Sequence, residues 1–203
     1  MNLVFDLDGT LICSKKRLYE LFCDLSGRSD LTLTEYWSLK SSGKSNQDIL
    51  RENFGCVELV IERFLNDWMK LIESDHYLYM DSLIDGVASF LEKNSQEHSL
   101  FICTARQSIS QVTRQLARLS ILNFFQDVFV TEQKHTKAEL LERSNIIFNE
   151  DDWMFGDTGH DVIAGKKIGI KTCAVLSGFM SEECLKEYCP DIISSNVTAI
   201  NFL

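Results

Sequence analysis

Apolar positions recur with two different spacings along the chain, and the change from one to the other divides it. Across residues 14–79 they return every three and four residues, as on one face of a helix. "SKKRLYELFCDLSG" carries Leu18, Leu21, Phe22 and Leu25 in this way, with Gly27 as a stop signal, and "VELVIERFLNDWMKLIES" repeats the spacing. Between them "SLKSSGKSNQDIL" is polar and glycine-bearing, which predicts a loop leading into a helix near Gln47. From Gly86 onward short apolar runs alternate with helical stretches. "SLFICT", "DVFVT", "WMFGD", "KTCAVL" and "DIIS" read as strands, separated by helices such as "SISQVTRQLARL" and "DVIAGKKIG". A further apolar strand, "LVFDLD", opens the chain.

Strands joined by helices of this length require crossover connections, hence a parallel sheet with helices on both faces. The fold class predicted is α/β, a doubly wound Rossmann-like core of residues 1–13 and 80–203, with residues 14–79 as a helical insertion after the first strand. At 203 residues, 45% hydrophobic and 25% charged, the chain suits one globular core with room for a modest subdomain.

Charge and cysteine usage narrow the function classes. The formal charge is −10 without a lysine- or arginine-rich block, which argues against nucleic acid as partner. No apolar run approaches the roughly 18 residues of a membrane span, and the basic region and cleavage site of a signal peptide are not seen, so a cytoplasmic protein without a membrane partner is expected. The seven cysteines form no C-x-x-C pair. They read as reduced thiols and disfavour zinc. Monomer and homodimer both remain open.

In open α/β sheets ligands sit beyond the carboxyl ends of the strands. Asp6 and Asp8 follow the first strand, Thr104 and Arg106 the second, residues 131–137 the third, and Asp157 with Asp161 the fourth. Strand geometry points Asp6 and Asp8 the same way. At about 4 Å and a near-surface dielectric such a pair repels by roughly 4 kcal/mol, so it calls for a cation, a shared proton or an exposed setting. Carboxylates without histidine or cysteine companions suit Mg²⁺. A carboxylate beside that cation can act as nucleophile in phosphoryl transfer, which needs positive charge around the phosphoryl oxygens.

"DLDGTL", "ICTAR", the lysine in "KHTKAELL" and "MFGDTGHD" occur in the order found in the haloacid dehalogenase-like superfamily, and the chain resembles its phosphoglycolate phosphatase-like group, the helical insertion resembling a small cap. The resemblance implies a Mg²⁺-dependent phosphatase acting on a small phosphorylated metabolite through an aspartyl-phosphate. It implies Asp6 as nucleophile and Asp8 as general acid, then base. Asp6, the Asp8 backbone carbonyl, Asp157 and Asp161 would serve the metal, Thr104 would bind a phosphoryl oxygen, and Lys137 would neutralise charge. Many relatives carry a proline after that lysine, whereas the single proline here is Pro190 and both Lys134 and Lys137 are available. Lys137 is preferred because it opens a helix. Relatives often show asparagine where this chain has Ala105 and Arg106, which are taken as substrate-binding together with Lys40 and Lys44 of the insertion.

Plainer readings exist for the same residues. D-G is a common turn signal, Thr104 and Asp157 could cap helices, and Asp161 is favoured by a helix dipole with or without a metal. Arg17, Ser42, Gly43 and Ser45 are further candidates for reading substrate, while Trp37, Phe64 and Trp68 suit the core of the insertion. A phosphosugar mutase of the same superfamily would keep the core residues. A phospho-aspartate signalling receiver would share the acidic cluster, but without the D-x-D-G-T run or the insertion.

Overall fold

The computed structural model describes residues 1–28 and 30–200. Strand β1 (Asn2–Phe5) runs into a tight turn at Gly9, followed by the short strand β2 (Ile12–Cys13). Helices α1 (Lys15–Ser26), α2 (Leu33–Ser41), α3 (Asn46–Asp48, continued by a π-helical turn over Ile49–Asn53), α4 (Glu58–Leu71) and α5 (Asp75–Leu78) come next. Strand β3 (Ser82–Leu83) pairs antiparallel with β2, so the helical excursion leaves and returns through one two-stranded ribbon. The remainder alternates: α6 (Val87–Asn94), β4 (Ser99–Thr104), α7 (Ile109–Arg118), β5 (Asp127–Val130), α8 (Lys137–Glu142), β6 (Trp153–Gly156), α9 (Gly159–Lys167), β7 (Lys171–Val175), α10 (Glu182–Lys186) and β8 (Ile192–Ser194).

The large sheet is parallel with order β5-β4-β1-β6-β7-β8, as expected of a doubly wound α/β core. Its strands are apolar on both sides because both faces are covered. Leu3, Phe5, Leu100, Ile102 and Phe155 pack with Val87 and Leu91 of α6 and with Val112 and Leu116 of α7. Their alternates Val4, Phe101, Cys103 and Met154 pack with Leu141 of α8. Chain order reverses around β1, so the carboxyl ends of β1, β4 and β6 meet at a switch point.

The helices between β2 and β3 have an apolar cluster of their own, built from Leu18, Phe22, Tyr36, Ile61 and Phe64. The Phe22 ring lies 4.9 Å from Tyr36 and 5.5 Å from Phe64, spacings that aromatic pairs favour. Trp37 and Trp68 pack against the same cluster. The loop predicted from Ser38 onward starts later. A capping box between Thr32 and Glu35 launches α2, which runs to Ser41, so Lys40 rides its last turn.

Candidate active site

Asp6 follows β1 directly and its backbone N–H donates to the Phe155 carbonyl at 2.8 Å, which fixes it beside β6. The chain then turns at Gly9, whose φ of +84° favours glycine and where a Cβ would run into the Asp157 carboxylate. Asp157 directly follows β6 and Thr104 ends β4; both are buried. Asp161 lies in the first turn of α9, where one carboxylate oxygen accepts from the Thr158 N–H at 3.1 Å and from its hydroxyl at 2.7 Å. This capping box leaves the other oxygen facing inward.

Lys137 opens α8, the end of a helix where its dipole disfavours a cation. Carboxylates compensate: Nζ donates to Asp6 Oδ1 and, at 2.5 Å, to Asp161 Oδ1. Burial acts against the ammonium, but Asp161 and Asp6 outweigh it and hold it protonated. Lys134 is exposed and pairs with Glu132 at 3.0 Å, outside the cluster.

One oxygen each from Asp6, Asp157 and Asp161 lies within 4.8 Å of the others. Asp157 Oδ2 accepts from the Phe179 N–H at 2.6 Å, whereas its Oδ1 is buried with no hydrogen-bond partner among the described residues. Three converging carboxylates with an orphaned oxygen fit a hard divalent cation. Burial, with Asp6 and Asp161 nearby, raises the Asp157 carboxyl well above its usual range. Burial likewise pushes Asp6 up to about 7, the pull of Lys137 offsetting only part of it.

A carboxyl raised in this way binds its proton more tightly in the folded than in the unfolded chain. Its contribution to stability is therefore present below 3.8 and is lost as the pH rises to about 7. A cation taking the same oxygens competes with those protons. Mg²⁺ is expected to raise the thermal midpoint more at about pH 8 than at about pH 5, and equal shifts at both would contradict the carboxylate assignment.

Asp8 turns away from this cluster. Its carboxylate accepts from Arg17 and from Arg106, whose second nitrogen reaches it at 2.9 Å. Burial acts to raise this carboxyl, but the two guanidiniums outweigh it and hold it down at about 2. They are themselves anchored: Arg17 donates to Asp81 at 3.0 Å and to the Ile72 carbonyl at 3.0 Å, and Arg106 donates to Gln115 at 3.2 Å. Gln115 in turn donates to Asp81 at 2.6 Å.

A cavity of about 810 Å³ opens over these groups and is lined by Asp6, Asp8, Thr104, Ala105, Arg106, Lys137 and Asp157, with Arg17 and Trp68 from the helical insertion. Asp161 lies behind it on Lys137. Lys40 and Lys44 are not among its lining residues; Lys44 is 3.0 Å from Glu52 and donates to Asn53. Asp81, Gln115 and the Phe179 backbone were not evident from the sequence. Arg17 carried a signal, standing on the apolar stripe of Leu18, Leu21 and Phe22.

The sequence model of the haloacid dehalogenase-like hydrolases matches residues 3–175. The chain belongs to that family. This haloacid dehalogenase-like hydrolase is similar to the pyrophosphatase PpaX of Bacillus mycoides, 25% identical over 207 residues that cover 95% of this chain and 91% of the relative. It is 24% identical to a 5'-nucleotidase of Pseudomonas aeruginosa over 98% of this chain and 93% of that protein. Its fold superposes on a haloacid dehalogenase-like hydrolase of Streptococcus pneumoniae with a TM-score of 0.79 at 20% identity, covering 96% and 93% of the two chains. No helix among the described residues is long and apolar enough to cross a membrane.

Proposed function

We propose that this hydrolase is a Mg²⁺-dependent phosphatase of small-molecule phosphate monoesters, working through an aspartyl-phosphate on Asp6, with residues 14–79 as a cap over the site. The observation that carries the reading is the Lys137 ammonium shared between Asp6 and Asp161, beside the orphaned oxygen of Asp157 and at the base of the cavity. The names of the two relatives, one a pyrophosphatase and one a nucleotidase, support phosphoryl chemistry. Mg²⁺ would be held by Asp6, Asp157 and Asp161 with the Asp8 carbonyl, and would offset charge on the phosphoryl oxygens.

In the first step an Asp6 oxygen attacks phosphorus, the ester P–O bond breaks, and the leaving oxygen takes its electron pair and a proton from Asp8. Thr104 donates to a phosphoryl oxygen, and Lys137 balances Asp6 as charge builds. In the second step Asp8 takes a proton from water, whose oxygen attacks phosphorus. The bond to Asp6 then breaks, freeing inorganic phosphate and restoring the carboxylate. The arginine clamp favours the charged Asp8 that this second step requires, so the first step draws on the small protonated fraction of this carboxyl.

A panel of small phosphate monoesters with a generic aryl phosphate tests the reading. Release of inorganic phosphate that requires Mg²⁺ and stops with EDTA is expected. Isomerised phosphosugar without net release would instead indicate a mutase. No release from any ester by folded, Mg²⁺-loaded protein would overturn the proposal.

A further inference from the structure

The acidic cluster, Thr104 and Lys137 account for the phosphoryl end of the cavity but leave two polar atoms elsewhere in its lining without a role. Arg106 is 5% exposed, and its Nε and Nη2 are taken by Asp8 and Gln115. Its Nη1 is buried with no hydrogen-bond partner among the described residues. Glu73 spends Oε1 on the Gln107 backbone N–H, at 2.6 Å, while its Oε2 is likewise buried and unpartnered. Both residues line the cavity that holds Asp6 and Asp8. Folded proteins seldom leave buried donors and acceptors unmade without a functional reason.

The charge around these atoms limits what could satisfy them. Arg17 and Arg106 are set against Asp8, Asp81 and Glu73, so the wall has no surplus of positive charge. A carboxylate or second phosphate could accept from Arg106 but has no proton for Glu73 and would be repelled by it. A hydroxyl can accept from Nη1 and donate to Oε2. Leu18, Trp68 and Ile72 supply an apolar surface nearby for the carbon atoms of such a group.

We infer that Arg106 and Glu73 read hydroxyl groups on the alcohol part of the substrate, so that phosphorylated polyols and sugars, ribose included, are preferred over pyrophosphate and phosphorylated carboxylic acids. The inference rests on the phosphatase reading, since it is phosphoryl transfer at Asp6 that directs the alcohol part past Asp8 toward this wall.

The test compares kcat/KM for glycerol phosphate with that for propyl phosphate, which lacks the hydroxyls, alongside phosphoglycolate, pyrophosphate and an aryl phosphate. Wild type is expected to favour glycerol phosphate over propyl phosphate by about tenfold or more, because a site built to bond a hydroxyl discriminates against the analogue without one. Glu73→Gln keeps an oxygen for the Gln107 N–H but places an amide donor where the free acceptor was. It is expected to cut that ratio by about tenfold and to raise phosphoglycolate relative to glycerol phosphate. Turnover of the aryl phosphate with no preference for glycerol phosphate, or a parallel loss on every ester in Glu73→Gln, overturns the hydroxyl assignment alone. No turnover of any ester, aryl phosphate included, overturns the phosphatase reading and this assignment with it.

Discussion

Asp6→Asn is expected to reduce phosphate release by at least about 10⁴-fold while the protein stays folded, since the amide retains the shape of the side chain but not its nucleophilic charge. The stability expectation follows from where Asp6 sits. Its carboxyl is pushed up to about 7, so in the metal-free protein its ionisation disfavours the folded state at alkaline pH. Asparagine removes that penalty. At about pH 8 without metal the variant should melt no lower than wild type, and its stabilisation by Mg²⁺ should shrink because one of three converging oxygens has lost its charge. A variant that keeps more than about a tenth of wild-type turnover would show that Asp6 is not the nucleophile.

Lys137→Met should act on both stability and turnover. It removes the ammonium that Asp6 and Asp161 share and leaves buried carboxylates without it, a change that costs about 3–5 kcal/mol when one partner of a buried ion pair is deleted. The urea midpoint should fall accordingly without metal and recover in part with Mg²⁺, whose charge replaces some of what was lost. Turnover in saturating Mg²⁺ should drop by about 10²–10³-fold, the scale of one preorganised electrostatic contact. Lys134→Met, at an exposed residue paired with Glu132, should stay within about 0.5 kcal/mol of wild type. If the two lysine variants behaved alike, the choice of Lys137 would be wrong.

The strands of the core were readable because burial on both faces writes them as short apolar runs. "SLFICT" becomes β4 and "KTCAV" becomes β7 without needing any distant information. The ribbon of β2 and β3 was not readable. Each strand has two residues, and their pairing joins Ile12 to Leu83 across the whole helical insertion. Residues 38–41 of α2 read as loop because of the serines and glycine of "SLKSSGKS", while the capping box that launches the helix starts at Thr32, six residues upstream of Ser38.

The site divides along the same line. Asp6, Thr104, Lys137, Asp157 and Asp161 each follow or cap an element that the sequence locates, and strand order brings them to one edge. The partners of Asp8 are another matter. Arg106 lies 98 residues away, and its side chain could equally have faced solvent. What turns it inward is a network whose members are polar residues on otherwise ordinary elements: Gln115 on α7 and Asp81 just before β3. Lys40 and Lys44, by contrast, lie outside the cavity lining. Polar loops look like substrate-reading loops, and the sequence does not say that Glu52 and Asn53 engage Lys44.

Trapping the covalent intermediate tests the central claim most directly. Asp8→Asn lacks the base for the second step, and an aryl phosphate needs little help from an acid in the first, so the phosphorylated enzyme should accumulate. Rapid quenching with borohydride, followed by peptide mass spectrometry, should find Asp6 converted to homoserine, with one equivalent of aryl alcohol released in a burst. Aryl alcohol and inorganic phosphate released together from the first turnover, with Asp6 unmodified, would contradict an aspartyl-phosphate at this site.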